Sequence, residues 1–242
     1  MGIRTLVVML LVTILVTGLL ATRETYSVFV PGLLEGAVLT LQIAILGCML
    51  ALVSAVLAAL GKMYGPTPVR WLANTYIEIF RGTSALVQLF WLFFVLPQFG
   101  LTLDAFPVAV IGLGLNVGAY GAEVVRGAIA SVARGQWEAA IALNMSRGQM
   151  LRRIILPQAF IAMIPPWGNL FIELLKSTAL VSLITLNDLA FKAQQLNQTT
   201  MKTIPIFTLV LLMYLAMSLA FTIGMRLLER RAARGLARGR FA

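Results

Sequence analysis

The chain has 242 residues, a hydrophobic fraction of 60%, charged residues at 12% and a mean hydropathy of +0.93, which is more apolar surface than a soluble domain of this size can hide. Its formal charge is +10, but the 19 Lys and Arg stand in short runs beside apolar segments, so they read as topology and lipid-headgroup signals and exclude a nucleic-acid footprint. With no His and a single cysteine, Cys48, inside an apolar run, disulfides, His-assisted catalysis and His or Cys metal clusters are excluded as well.

A bilayer core of about 30 Å takes about 20 helical residues to cross, and the apolar runs are read against that length. Residues 3–21 form the first candidate. Arg4 ahead of an apolar core resembles a signal peptide, yet Leu20-Ala21-Thr22-Arg23 is a poor cleavage site. A retained helix gives six crossings, and a cleaved leader would leave five. The second run, 36–60, has no charge, and Cys48 within it reads as a small buried hydrophobe. Gly61-Lys62 ends it without forming a phosphate-binding loop: Met63 follows, and Val56 stands where the first glycine belongs. No ATP or other cofactor is therefore expected in this chain, and any ATPase must be a partner.

The third run extends from Trp71 to Pro97, with Phe90, Trp91, Phe93 and Phe94 as interfacial or lipid-facing anchors. The fourth, 106–130, carries Gly112, Gly114, Gly118 and Gly121, which either permit a moving close contact or form a plain packing seam. The fifth, 154–175, contains Pro157, Pro165 and Pro166, which are expected to break its backbone bonding and line a cavity. Ser177 to Phe191 is too short to cross and is read as a partly inserted outer segment ended by Asp188. Asn187, Gln194, Gln195, Asn197 and Gln198 then make a polar outer loop, and 204–228 is the last crossing. The expected architecture is all-α, a polytopic helical membrane protein.

Orientation follows from the Lys and Arg bias of short loops. Arg4, the Lys62 to Arg70 loop, Arg134, Arg147, Arg152 and Arg153, and the tail with Arg226, Arg230, Arg231, Arg234, Arg238 and Arg240 all fall on one side, the cytoplasm. Arg23, Glu24, Asp104, Asp188, Lys192 and Lys202 on the other side nearly balance. Charges inside crossings form a pattern: Glu78 with Arg81, Glu123 with Arg126, and Glu173 with Lys176, each acid three positions before its base and on the same helix face. Each pair can neutralise itself within its helix. The first two, each about 10 Å from the cytoplasmic end, can alternatively form an inner gate or brace. Glu173 and Lys176 lie toward the outer vestibule.

The polar insert between the fourth and fifth crossings is the most specific feature. Gln136 to Leu143 has high helix propensity, with Glu138 in the first turn facing the positive end of the macrodipole. Asn144, a residue that enters the left-handed region at modest cost, interrupts it. Ser146-Arg147-Gly148-Gln149 then fits a capping box. The reading is helix, corner, helix, the shape of a docking element.

Glu138-Ala139-Ala140, Asn144 six residues after Glu138, and Ile154, Leu156 and Pro157 resemble the EAA loop of bacterial ABC importer permeases. Phe80-Arg81-Gly82-Thr83, the run from Gly118 through Tyr120 to Gly127, and the run from Lys176 and Ser177 to Ile184 look like the polar amino acid subfamily. Within that subfamily the chain is similar to permeases for ectoine and hydroxyectoine. The resemblance covers about residues 30–230. It implies a five-helix core plus an added N-terminal helix, a transport subunit that is not an enzyme, and an inner-membrane location with a cytoplasmic C-terminus.

It also implies partners: two ABC ATPase subunits, a second permease that is an identical copy or a paralogue, an extracytoplasmic solute-binding protein and membrane lipid. The expected organisation is an N-terminal helix and outer loop (1–30), a transport domain (31–230) with the coupling loop at 131–153, and a basic tail (231–242). The coupling residues implied are Glu138, Ala139, Ala140, Asn144, Ile154, Leu156 and Pro157. Pathway or gate candidates are Glu78, Arg81, Tyr120, Glu123, Arg126, Glu173, Lys176 and Ser177. The family usually has glycine at the corner where this chain has Asn144. The rival reading, an ion-driven secondary transporter, calls for inverted repeats and an unpaired buried carboxylate, and neither is visible. A Ser-Lys membrane enzyme ranks last, because Lys176 and Ser177 are adjacent and point to different helix faces.

Overall fold

The computed structural model describes residues 2–239, with side-chain surroundings through residue 233, so the side chains of Arg234, Arg238 and Arg240 in the tail lie outside the described residues. Among the described residues there is no strand. The helices are α1 (Ile3–Ala21), a one-turn α2 (Glu24–Ser27), α3 (Val30–Tyr64), α4 (Thr67–Gly82), α5 (Ala85–Phe90), α6 (Ala105–Ala130), α7 (Arg134–Ala142), α8 (Arg147–Met150), α9 (Leu156–Ser177), α10 (Leu189–Thr200) and α11 (Thr203–Gly239). A π-helical turn (Trp91–Val95) and a 3-10 turn (Leu96–Phe99) extend α5, a π-helical turn (Leu151–Ile155) joins α8 to α9, and a 3-10 segment (Thr178–Ile184) follows α9. Among the described residues five stretches are long and apolar enough to cross a bilayer: α1, α3, α6, Arg147–Ile184 and Thr203–Ala233. A sixth is made by α4 with Ala85–Phe99.

The centre of the bundle is the contact of α3 with α6, which is built from small residues. Ala44, Ala51, Ala55 and Ala59 of α3 are fully buried, and α6 presents Gly114, Gly118 and Gly121. A Cβ at Gly114 would stand 2.9 Å from Leu50 Cδ2 and 3.1 Å from the Gly47 carbonyl, while one at Gly118 would overlap Ser54 Oγ. These glycines therefore form a packing seam, since only a hydrogen in place of a side chain lets the backbones approach this closely. In contrast α1 buries only Leu6 and Thr13, and it lies against α11 at the edge of the bundle.

Two expectations about helix breaks are corrected. The third crossing is not one helix: α4 and Ala85–Phe99 meet at 108°. Thr83 (φ −121°, ψ 154°) and Ser84 (ψ 134°) are extended, so the α4 ladder stops in the middle of the apolar run. The fifth crossing, where the prolines suggested a break, is continuous from Leu156 to Ser177 with Pro165 and Pro166 inside it. Pro157 stands just after the π-helical turn Leu151–Ile155, so the one proline of the three that coincides with a departure from α-helical bonding lies near the insert and not inside Leu156–Ser177.

The helix order puts the α7–α8 insert, the α3–α4 turn and the far end of α11 at one end of the bundle. At the opposite end α10 is fixed to the start of α3. Lys192 pairs with Glu35 at 3.1 Å, and the buried Leu189 N–H donates to Thr40 Oγ1 at 3.1 Å. Asp188, fully buried, caps α10 by accepting from the Phe191 N–H at 2.9 Å and the Ala190 N–H at 3.3 Å.

Candidate coupling insert and broken crossing

The corner and the second helix of the insert form as their residues suggest, but α7 begins at Arg134, so Glu138 stands in its second turn and the first turn holds no acidic residue at the positive end of the dipole. Asn144 has φ 54°, in the left-handed region, and the corner closes with the Met145 N–H donating to the Ala140 carbonyl at 3.1 Å. Ser146 caps α8 reciprocally: its Oγ accepts from the Gln149 N–H at 3.3 Å, and its own N–H donates to Gln149 Oε1 at 3.1 Å. Buried Val132, Ala140, Met150 and Ile155 root the insert in the main core. Gln158 Nε2 donates to Gln136 Oε1 at 3.2 Å, which ties α7 to the first turn of α9. The free surface is the tip, where Ile141 is 65% and Leu143 74% exposed, with Glu138, Ala139 and Asn144 exposed beside them. Arg134 at the start of α7, Arg147 in α8, and Arg152 and Arg153 in the following π-helical turn are exposed as well. Ile154 is half-buried in the π-helical turn, and Leu156 and Pro157 open α9. A rigid polar bracket thus holds out two large apolar side chains, which sequence reading by motif did not single out.

The intramembrane charges are arranged differently from the expected three internal pairs. Glu123 and Arg126 do pair, at 2.7 Å, but Glu123 also takes Lys62 of α3 at 2.9 Å, so this cluster clamps two helices together near the insert. Glu78 with Arg81, and Glu173 with Lys176, form no ion pair within 4 Å, and all four residues are exposed. Side chains three positions apart share a face, but nothing obliges two exposed chains with alternative partners to meet. Arg81 instead lies 5.5 Å above the Tyr120 ring, a cation–π contact, and Tyr120 Oη donates to the Arg81 carbonyl at 3.3 Å. Ser177 is half-buried at the end of α9. Between α9 and α11 a groove of about 530 Å³, lined in part by Pro165, Gly168, Asn169 and Thr222, opens one turn from Glu173.

The break at Thr83-Ser84 exposes backbone carbonyls inside an apolar layer, and two amide side chains that sequence reading missed satisfy them. Gln88 Nε2 donates to the Phe80 carbonyl at 3.0 Å and to Thr83 Oγ1 at 2.6 Å. Asn116 of α6, only 8% exposed, donates from Nδ2 to the same Phe80 carbonyl at 3.0 Å and to Gln88 Oε1 at 3.1 Å. Tyr76 Oη donates to the Leu115 carbonyl at 2.7 Å next to it. The available signal was a buried-type amide in each of two apolar runs, which in hydrocarbon requires a partner. The aromatic run behaves as expected in part: Trp91 and Phe94 are about half exposed, while Phe90 and Phe93 pack on the core.

A bundle of long apolar helices with one broken crossing and a rooted polar insert at one end defines a polytopic membrane protein. Residues 47–234 match the family of binding-protein-dependent transport system inner membrane components, and the chain belongs to that family. It is a multi-pass inner-membrane transport subunit, not an enzyme. It is similar to the probable amino-acid ABC transporter permease protein y4tF of Sinorhizobium fredii, at 47% identity over 83% of this chain and 87% of that one. The L-cystine transport system permease protein TcyB of Bacillus subtilis is 39% identical over 87% and 90% of the two chains. The glutamine transport system permease protein GlnP of Escherichia coli is 37% identical over 84% and 93%. Among solved structures, that of an amino acid ABC transporter with histidines superposes with a TM-score of 0.80 at 35% identity, covering 87% of this chain and 99% of that one.

Proposed function

We propose that this chain is the permease subunit of an ATP-driven importer for amino acids or related small zwitterionic solutes, coupled through residues 131–153 to a separate ATPase. The observation that carries the reading is the insert's tip. Ile141 and Leu143 project into water on a capped corner rooted by Ala140 and Met150, an arrangement that stabilises nothing within the chain. An apolar cleft on a partner is the natural cover for it, with Glu138 and the flanking arginines as its polar rim. The chain's family supplies the kind of partner: a solute-binding protein outside and, by its ABC transporter relatives, ATPases inside.

In this reading two ATPases close on ATP, draw two inserts together and rock two permease subunits between inward- and outward-open states. The second permease is an identical copy or a paralogue. The insert end faces the cytoplasm, as does the C-terminus, because the Lys and Arg of short loops collect there. Residues 31–230 form the transport domain, with 1–30 as an added helix and outer loop. The relatives' names favour an amino acid as cargo. Ectoine and hydroxyectoine are supported by the sequence resemblance alone and remain cargo candidates of the same zwitterionic class. Glu138→Arg is the test: coupled uptake and stimulated ATP hydrolysis are both lost while the chain still reaches the membrane, and normal coupled uptake refutes the docking role.

A further inference from the structure

The helix that leads into the insert also holds the broken crossing. From Ala130, where α6 ends, Asn116 lies fourteen residues up the same unbroken helix, about 21 Å at 1.5 Å per residue. There α6 makes hydrogen bonds to the last turns of α4: from Tyr76 Oη to the Leu115 carbonyl, from Asn116 to the Phe80 carbonyl, and from Tyr120 Oη to the Arg81 carbonyl. Asn116 also donates to Gln88, on the far side of the break in α5. One buried amide thus touches both half-helices, and Gln88 closes the loop by donating to the carbonyls and hydroxyl that the break leaves open. Broken helices bend where unpaired backbone groups collect, and their angle is set by whatever satisfies those groups.

We infer that Asn116 and Gln88 are the positioning pair that transmits displacement of the insert to the break at Thr83-Ser84, with α6 as the lever. The inference rests on the coupling role of the insert proposed above. The seam with α3 at Gly118, against Ser54 and Ala51, and at Gly121, against Ala55, keeps α6 stiff over the intervening turns, so a tilt imposed at Ala130 reaches Asn116 as a displacement and not as local bending. At Asn116 the displacement reaches two helix ends, α4 on one side and α5 on the other. The angle between them then changes, carrying Arg81, stacked on Tyr120, into or out of the pathway.

The test uses the full transporter in vesicles and measures solute moved per ATP hydrolysed. Asn116→Leu and Gln88→Leu, close in volume to the originals, retain binding-protein-stimulated ATP hydrolysis, while uptake per ATP falls by about tenfold, the size expected for a lost buried hydrogen bond. The double variant is no worse than either single one, because the two residues act as one unit. Exchange of the pair, Gln88→Asn with Asn116→Gln, restores part of the uptake. Unchanged uptake per ATP in both single variants overturns the inference, and so does parallel loss of uptake and hydrolysis in variants that assemble normally. Glu138→Arg in the same assay loses hydrolysis and uptake together, which separates failure of the insert's role from failure of the lever.

Discussion

Asp188 shows how much one residue's surroundings alter its chemistry. It is fully buried, and burial raises its carboxyl from the ordinary 3.8 to about 6, although the Phe191 and Ala190 N–H groups oppose the rise. A carboxyl with a raised pKa binds its proton more tightly in the folded chain than in the unfolded one. The folded state is therefore favoured at low pH, and that contribution disappears as pH rises from about 4 to about 6. Asp188→Asn retains a good helix cap without the buried charge. It is expected to flatten this pH dependence and to leave the chain as stable or more stable at neutral pH, as read by thermal unfolding of the detergent-solubilised protein. Asp188→Ala removes the cap and lowers stability by about 1 kcal/mol. The sequence placed Asp188 at the end of an apolar segment but did not show its burial, which comes with the docking of α10 on α3, where the neighbouring Leu189 N–H meets Thr40 from 149 positions away along the chain.

The insert is where the element scale was most legible. Its helix, corner and second helix follow from propensity, a left-handed residue and a capping box, all local in sequence. At the corner, φ 54° suits Asn144 or glycine and penalises a β-branched side chain by about 1–2 kcal/mol. Asn144→Gly should thus preserve coupled uptake, whereas Asn144→Val should reduce it with little change in membrane level; equal uptake by the two would show that the corner's geometry is not critical. Helix breaks were the least legible feature of the elements. Proline marks a missing donor wherever it stands, but α9 accommodates Pro165 and Pro166 without interruption. The real break, at Thr83-Ser84, carries no proline and depends on Asn116 of a different helix to satisfy it.

At the scale of the whole molecule, the informative quantity is charge left uncovered. Glu78, Glu173 and Lys176 are exposed on the surface of this single chain and form no ion pair within 4 Å among the described residues, and a charged side chain at the centre of a lipid layer costs about 3 kcal/mol or more. Such a cost is avoided where a charged side chain faces enclosed water, and in the proposed assembly Glu173 and Lys176 are assigned to the outer vestibule on that argument. Neutralising both, with Glu173→Gln and Lys176→Gln together, is expected to lower uptake while membrane level is unchanged. Full uptake by that variant would place the pair outside the pathway.

The sequence by itself determined the class and the plan of crossings. Apolar run length against bilayer thickness is a property of consecutive residues, and so are the caps and the corner of the insert. It determined as well that the glycines of α6 would allow a close approach, but not to what. Only the tertiary structure decided that Glu123 clamps α3 through Lys62, that two of the three acid–base pairs do not close, and that the third crossing bends by 108° on a clasp of two amides. Each of these depends on which groups from distant parts of the chain compete for the same charge or carbonyl, and that competition exists only once the helices have packed.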